Sequence, residues 1–257
     1  MRTVVVTGSA SGIGKSLTTL LQSRGDRVIG VDIRDADVIA DLSTDEGRTG
    51  MVEKVRELSG GTIDAIVANA GLANSGAPDI AVNYFGAIAT LDGLRPLLEG
   101  SAAPSAVATS SMASLMPADT ELVEACLTGD EPRALARAEQ LVGTDAAGQI
   151  YASSKVALCR WLRNNAATPV WAGAGIPLNA IAPGVVETPM VADLIATEEQ
   201  RAGLAQMVPM PLNGFMTAEA PAELLAWLIS PVNTHLCGQV IFIDGGSDVV
   251  IRGDSVW

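Results

Sequence analysis

Short apolar runs alternate along the chain with longer stretches in which apolar positions recur every three or four residues. The first pattern predicts buried strands and the second amphipathic helices. Thr3-Val4-Val5-Val6 opens the series, followed by a Gly/Ser-rich turn and a helix to about Arg24. Arg27 to Asp32 reads as the second strand and Ile39-Ala40-Asp41-Leu42 as a third, after which Thr44 caps a helix to about Leu58. Ile63 to Ala68 is the fourth strand, and one long helix is expected from about Ala77 to Leu98. Ser105 to Thr109, Leu178 to Ala182 and Gln239 to Ile243 supply the remaining strands, with a helix over about 150–168 after the first of them.

Strand and helix alternation from end to end predicts an α/β fold: a Rossmann-type, doubly wound parallel sheet. The 257 residues fit a single domain, and a hydrophobic share of 48% suits a sheet covered on both faces by helices. A net charge of −13 argues against a nucleic-acid partner. Cys126, Cys159 and Cys237 are odd in number and widely spaced, and His235 is the single histidine, so neither a disulfide framework nor a metal site is expected. Cys159 reads as buried filler on its helix. The first strand begins at about Thr3 and no apolar run is long enough to span a membrane; together these predict a cytoplasmic protein.

The turn after the first strand, Thr7-Gly8-Ser9-Ala10-Ser11-Gly12-Ile13-Gly14, lets backbone approach a pyrophosphate closely at a helix N-terminus. Asp32, at the end of the second strand, can accept bonds from a ribose 2′-OH and would repel a 2′-phosphate. Arg34 lies two residues on, but Ser11 rather than a basic residue precedes Gly12, so NAD(H) is expected over NADP(H). The dinucleotide contacts expected here are Gly8, Ser11, Gly12, Ile13, Gly14, Asp32 and Ile33. Asp41 and Leu42 would border the adenine, and Asn69, Ala70 and Gly71 would let the chain pass beside the cofactor. Asn69 also fits a plain strand-end turn that stabilises the sheet.

Tyr151 and Lys155 stand four apart in the expected helix over 150–168, and so share one face of it. A phenol with an ordinary pKa of about 10 exchanges protons poorly at neutral pH, and a neighbouring ammonium favours its phenolate. Ser111, just beyond the Ser105–Thr109 strand, offers a hydroxyl to orient a carbonyl within reach of the tyrosine. Such a set serves hydride transfer between a secondary alcohol and a ketone, where the carbonyl oxygen must gain or lose a proton.

Across essentially its whole length the chain resembles the short-chain dehydrogenase/reductase family. The resemblance is carried by Thr7-Gly8-x-x-x-Gly12-Ile13-Gly14, Asn69-Ala70-Gly71, Val82-Asn83-x-x-Gly86, Ser110-Ser111, Tyr151-x-x-x-Lys155 and Pro183-Gly184-x-x-x-Thr188-Pro189. It implies that Tyr151 is the general acid/base, that Ser111 orients the carbonyl and that Lys155 binds the nicotinamide ribose. It further implies that Asn83 supports a water in a proton relay and that Pro183, Gly184, Val186 and Thr188 border the cofactor. The runs Val31 to Thr44 and Val82 to Gly86 look like the bacterial 3α-hydroxysteroid dehydrogenase/carbonyl reductase subgroup. So does the wide separation of Ser111 from Tyr151, far larger than most members use.

The extra segment, about 117–148, reads as two short helices, the first capped by Thr120 over Glu121–Leu127 and the second started by Asp130 and running to about Val142. It fits either an acidic surface decoration or a wall at the site's mouth that alters subunit packing. A lid over the substrate is expected at about 185–216. Met112, Met116, Val185, Met190, Met207 and Met210, with Ser111, would contact a bulky apolar substrate, though such residues also suit packing of the lid. The expected function is an NAD(H)-dependent oxidoreductase acting on a 3α-hydroxy/3-oxo steroid or another hydrophobic carbonyl compound, assembled as a homodimer or homotetramer. A general secondary-alcohol dehydrogenase, an epimerase or dehydratase, and a non-catalytic NAD-sensing protein are the competing readings.

Overall fold

The computed structural model describes all 257 residues. β1 (Thr3–Thr7), β2 (Arg27–Asp32), β3 (Val38–Ile39), β4 (Ala65–Ala68), β5 (Ser105–Thr109), β6 (Leu178–Pro183) and β7 (Val240–Ile243) form one seven-stranded sheet in the order β3-β2-β1-β4-β5-β6-β7. Every pairing is parallel. The Rossmann-type, doubly wound expectation is met in a single domain.

Strand residues alternate between two cores, because successive side chains leave opposite faces of a sheet. Val4 and Val6 pack with Leu17 and Leu21 of α1 (Gly12–Ser23) and with Leu225 and Leu228 of α9 (Glu219–Leu228). Val5, Ile29 and Ile66 face the other core. Met51 and Val55 of α2 (Asp45–Ser59), Leu91 and Leu94 of α4 (Ala87–Leu94), and Leu158 and Leu162 of α7 (Gly148–Asn165) close that side. Burial on both faces explains why the strands read as continuous β-branched runs.

Three expectations change. The long helix over 77–98 is broken into α3 (Ala77–Ile80), a π-helical turn (Ala81–Gly86), α4 and a 3₁₀ turn (Arg95–Leu98). The third strand stops at Ile39, and the Leu42 carbonyl leaves the ladder to accept a bond from Arg48 Nε at 2.8 Å. Over 117–148 the two helices form as α5 (Thr120–Leu127) and α6 (Glu131–Leu141), but the first is capped by Asp119, not Thr120. The Asp119 carboxylate accepts from Leu122 N at 2.8 Å and from Arg137 at 2.8 and 3.1 Å, so one side chain caps α5 and ties it to α6. Asp130 caps α6 as expected, and Thr44 caps α2.

No helix is long and apolar enough to cross a membrane. The structure contains no group of three or more His, Cys, Asp or Glu side chains placed to hold a metal ion.

Candidate active site

The strand order reverses direction between β1 and β4, and the crevice beyond the carboxyl ends of these strands is where such sheets take ligands. Asn69 ties the ends of three strands there. Its Nδ2 donates to Thr7 O at 3.2 Å, its Oδ1 accepts from Thr109 Oγ1 at 3.0 Å, and the Asn69 and Ala70 N–H groups both donate to Thr7 Oγ1 at 3.0 Å. The side chain of Asn69 therefore works within the sheet, and Ala70 and Gly71 carry the chain past the crevice.

The glycine turn is compressed against this platform. Gly8 has φ +70°, and a Cβ on it would stand 2.9 Å from Ala70 Cα; one on Gly14 would stand 2.1 Å from Gly8 O. Neither position tolerates a side chain. α1 starts at Gly12 with Ser11 as N-cap, yet the Ser11 side chain makes no capping bond and the first turn holds no acidic residue. Its leading N–H groups are thus left to an anion. Asp32 Oδ2 accepts from Ala10 N at 3.0 Å and Oδ1 from Ile33 N at 2.8 Å, which fixes the carboxylate at the rim of the turn. Ile33 and Asp41 are exposed beside it, while Leu42 is buried. Thr188, beyond β6, lies across the turn, its Cγ2 3.2 Å from where a Gly12 Cβ would be. Tight glycines, an uncapped helix start and an acidic residue at the β2 end together fit a dinucleotide.

The second cluster lies where β5 ends against α7. Ser111 follows the strand, and its Oγ accepts from Ala113 N at 3.1 Å, opening a 3₁₀ turn (Met112–Leu115). Tyr151 and Lys155 sit one turn apart on α7, with Lys155 Nζ 5.5 Å from the centre of the Tyr151 ring. Lys155 Nζ donates to Thr109 O at 3.2 Å and is otherwise enclosed by protein. Burial brings this amine down to about 8, against smaller opposing effects of Cys159 and Asp79.

The tyrosine departs from the sequence expectation. Burial raises the Tyr151 phenol above its ordinary value, the Ser111 hydroxyl pulls it back, and Asp79 adds to the rise. No hydrogen bond joins the ammonium to the phenol, and desolvation is the largest influence on the tyrosine.

Asn83 lies in the π-helical turn, buried, with both Nδ2 protons and its Oδ1 bonded within the protein. Nδ2 donates to Leu72 O at 2.9 Å and to Ser154 Oγ at 3.2 Å, and Oδ1 accepts from Leu72 N at 2.7 Å. The asparagine clamps the chain leaving β4 to α7.

Pro183 at the end of β6 and Val185 and Val186 beyond it are buried. Met210 is buried too, and its Sδ accepts from Val185 N at 3.3 Å. It wedges between Gly184 and Gly245, so the structure gives it a packing role. Met112 is buried under the 3₁₀ turn and Met116 is half-buried, whereas Met190 and Met207 are exposed at 46% and 65%. The segment 189–207, a 3₁₀ turn (Pro189–Leu194) and α8 (Glu198–Met207), contributes no residue to the core.

Sequence reasoning gave no role to four members of the site, although Ser110 stands in the quoted Ser110-Ser111 motif. Ser154 joins Asn83 to α7, and Thr109 receives the lysine. Ser110 turns to α7 beside Cys159 Sγ at 3.1 Å, and Asp79 is a buried carboxylate with no cue in the motif set. Cys159, expected as buried filler, is half-buried and forms part of this lining.

Residues 135–248 match the family described as enoyl-(acyl carrier protein) reductase. The chain is 37% identical over 257 residues to a 3-alpha-hydroxysteroid dehydrogenase/carbonyl reductase of Comamonas testosteroni, covering 98% of each. It is 30% identical to a cis-4-hydroxycyclohexanecarboxylate dehydrogenase of Sinomonas cyclohexanicum, covering 97% of each. Among solved structures, the 3-alpha-hydroxysteroid dehydrogenase of Pseudomonas sp. B-0831 complexed with NADH superposes with a TM-score of 0.90 at 41% identity, over 98% of this chain and 99% of that one. Full-length similarity of this degree, on a parallel sheet that brings Ser111, Tyr151 and Lys155 to one end, establishes that the chain belongs to the short-chain dehydrogenase/reductase family, oxidoreductases acting on CH–OH groups.

Proposed function

We propose that the protein interconverts a secondary alcohol and a ketone with NAD(H), and that its substrate is a 3α-hydroxy/3-oxo steroid or a similarly hydrophobic carbonyl compound. The observation that carries this reading is the meeting of Ser111, Tyr151 and Lys155 beside a glycine turn whose rim holds Asp32. NAD(H), when bound, takes or gives the hydride. Gly8, Ser11, Gly12, Ile13 and Gly14 would hold its pyrophosphate, Asp32 and Ile33 its adenosine ribose, and Asp41 and Leu42 its adenine. Ala70, Gly71, Pro183, Gly184, Val186 and Thr188 would line the nicotinamide half.

In reduction, Ser111 orients the carbonyl oxygen and Tyr151 gives it a proton; in oxidation Tyr151 accepts the proton. Lys155 holds positive charge beside the phenol, which lowers the cost of the phenolate once the proton has left. Both Nδ2 protons of Asn83 are donated within the protein and its Oδ1 already accepts from Leu72 N, so a water in a relay would be held by the Asn83 backbone or by the remaining acceptor site of Oδ1.

The similarity to the two 3α-hydroxysteroid dehydrogenases supports the steroid. Met112, next to Ser111, and Val185 and Val186, beyond β6, are buried apolar residues that would supply apolar contact, and the exposed Met190 and Met207 sit on the segment 185–216, which we take as the lid. We take 117–148 as an insertion walling the mouth, and the assembly as a cytoplasmic homodimer or homotetramer. A second reading, a dehydrogenase of smaller cyclic alcohols, is favoured by the likeness to the hydroxycyclohexanecarboxylate enzyme.

Initial rates with NADH and NADPH against a 3-oxosteroid and a small cyclic ketone test both readings. Fast steroid reduction with NADH is expected, and turnover of the small ketone alone would discard the steroid. Tyr151→Phe should cut turnover by roughly three orders of magnitude or more while NADH still binds; retained turnover would remove Tyr151 from the mechanism.

A further inference from the structure

Asp79 is fully buried, and apart from its influence on the Lys155 amine and the Tyr151 phenol it has been given no role so far. Its carboxylate faces the turn that leaves β4. Oδ1 accepts from Asn74 N at 3.0 Å, and Oδ2 accepts from Asn74 N at 3.1 Å and from Ser75 N at 3.0 Å. Ser75 has φ +55°, a left-handed conformation that a non-glycine residue adopts only when its surroundings hold it.

Asp79 precedes Asn83 by one helical turn, so the two side chains leave the same side of their segment. Across from them, Asn83 bonds Ser154, which lies between Tyr151 and Lys155 on α7. The segment that carries Asp79 and Asn83 is therefore packed against α7, which carries Tyr151 and Lys155. The chain leaving β4 runs between them: a Cβ on Gly71 would stand 3.1 Å from Asn83 Oδ1 and 3.7 Å from Lys155 Nζ. Lys155 bonds only the neutral Thr109 carbonyl. The titratable groups facing it are Tyr151 and Cys159 on its own helix and Asp79 from α3, and Asp79 is the one carboxylate among them.

We propose that Asp79 is a positioning residue of the active site, its buried carboxylate fastening the 71–76 turn and acting as the fixed counter-charge of Lys155. The proposal rests on the roles given to Tyr151 and Lys155 above. A negative charge here supports the ammonium of Lys155 and opposes the phenolate of Tyr151. Burial raises the Asp79 carboxyl itself, while the Asn74 and Ser75 N–H groups and Lys155 hold it down.

Asp79→Asn keeps the shape and an acceptor oxygen but removes the charge. The measurement is the pH dependence of ketone reduction by NADH. Without the charge both Lys155 and Tyr151 release protons more readily, so the alkaline fall in rate should move to lower pH. A turn fastener alone would change thermal stability or the rate at every pH and leave that limb in place. An unmoved limb in folded Asp79→Asn overturns the counter-charge.

Asp79→Ser, whose hydroxyl can still accept from the turn, is the second variant and should shift the limb in the same direction. Failure of both variants to fold would reduce Asp79 to a structural fastener and overturn the proposal as well. Tyr151→Phe assayed alongside separates the causes. If it stays active, the underlying assignment falls; if it is dead while the Asp79 limbs do not move, only the role of Asp79 falls.

Discussion

Lys155 is the residue on which burial acts with the clearest chemical consequence. An ammonium enclosed by protein loses hydration that a single neutral carbonyl cannot replace, and its pKa falls to about 8. Tyr151, held above its ordinary value, loses its proton later than Lys155 as pH rises. The charged lysine is therefore fully present below about pH 8 and is lost as pH climbs through that value. We expect kcat/KM for ketone reduction to fall through this region, since it reports groups of the free enzyme. Lys155→Met should lower the whole profile and remove the limb. A wild-type profile flat across the region would mean that the charge at Lys155 is not required. The positions of Tyr151 and Lys155 were legible in the sequence because a spacing of four places two side chains on one helical face. Of the environment that sets their protonation only Ser111 was legible; burial and the contributions of Thr109 and Asp79 come from residues distant in the chain. Asp79 in particular, within Ala77-Pro78-Asp79-Ile80, reads in sequence as an ordinary acidic residue in the first turn of a helix.

At the scale of elements, local chemistry was legible wherever one residue had one plausible partner. Thr44 and Asp130 cap the helices that follow them, and the bounds of β2 and β5 fall where the apolar runs placed them. Asp119-Thr120 offered two competent caps in a row. Tertiary contacts choose Asp119: its N–H donates to Ser153 Oγ on α7 at 2.9 Å, and its carboxylate pairs with Arg137 on α6. Similarly, nothing in the periodicity of 77–98 announces a π-helical turn, since what holds it is the Asn83 clamp on Leu72. The capping assignment has a direct test. Asp119→Ala loses a cap and half of a largely enclosed ion pair, and should cost about 1–3 kcal/mol in denaturant unfolding. Thr120→Ala, at an exposed position that caps nothing, should stay within roughly 0.5 kcal/mol of wild type. Equal losses in the two variants would return the cap to Thr120.

Over the whole molecule, the site is assembled from segments that only the sheet brings together: the turn after β1, the end of β2, the loops after β4 and β6, and α7. A ligand touching all of them stabilises the fold as a unit, because it binds the folded chain and not the unfolded one. At a hundred times its dissociation constant NADH should add about 2.7 kcal/mol. For a domain of this length that corresponds to a rise in Tm of roughly 5–10 °C. NADPH at the same concentration should give little, because its 2′-phosphate would meet the Asp32 carboxylate, which the Ala10 and Ile33 N–H groups hold at the rim of the glycine turn. Asp32→Ala should narrow the gap by weakening NADH and admitting NADPH. The readout is independent of turnover, so it distinguishes cofactor choice from any fault in the catalytic reading. An equal rise with both cofactors in the wild-type protein would mean that Asp32 turns away from the ribose, and that Arg34, exposed two residues further on, receives the phosphate.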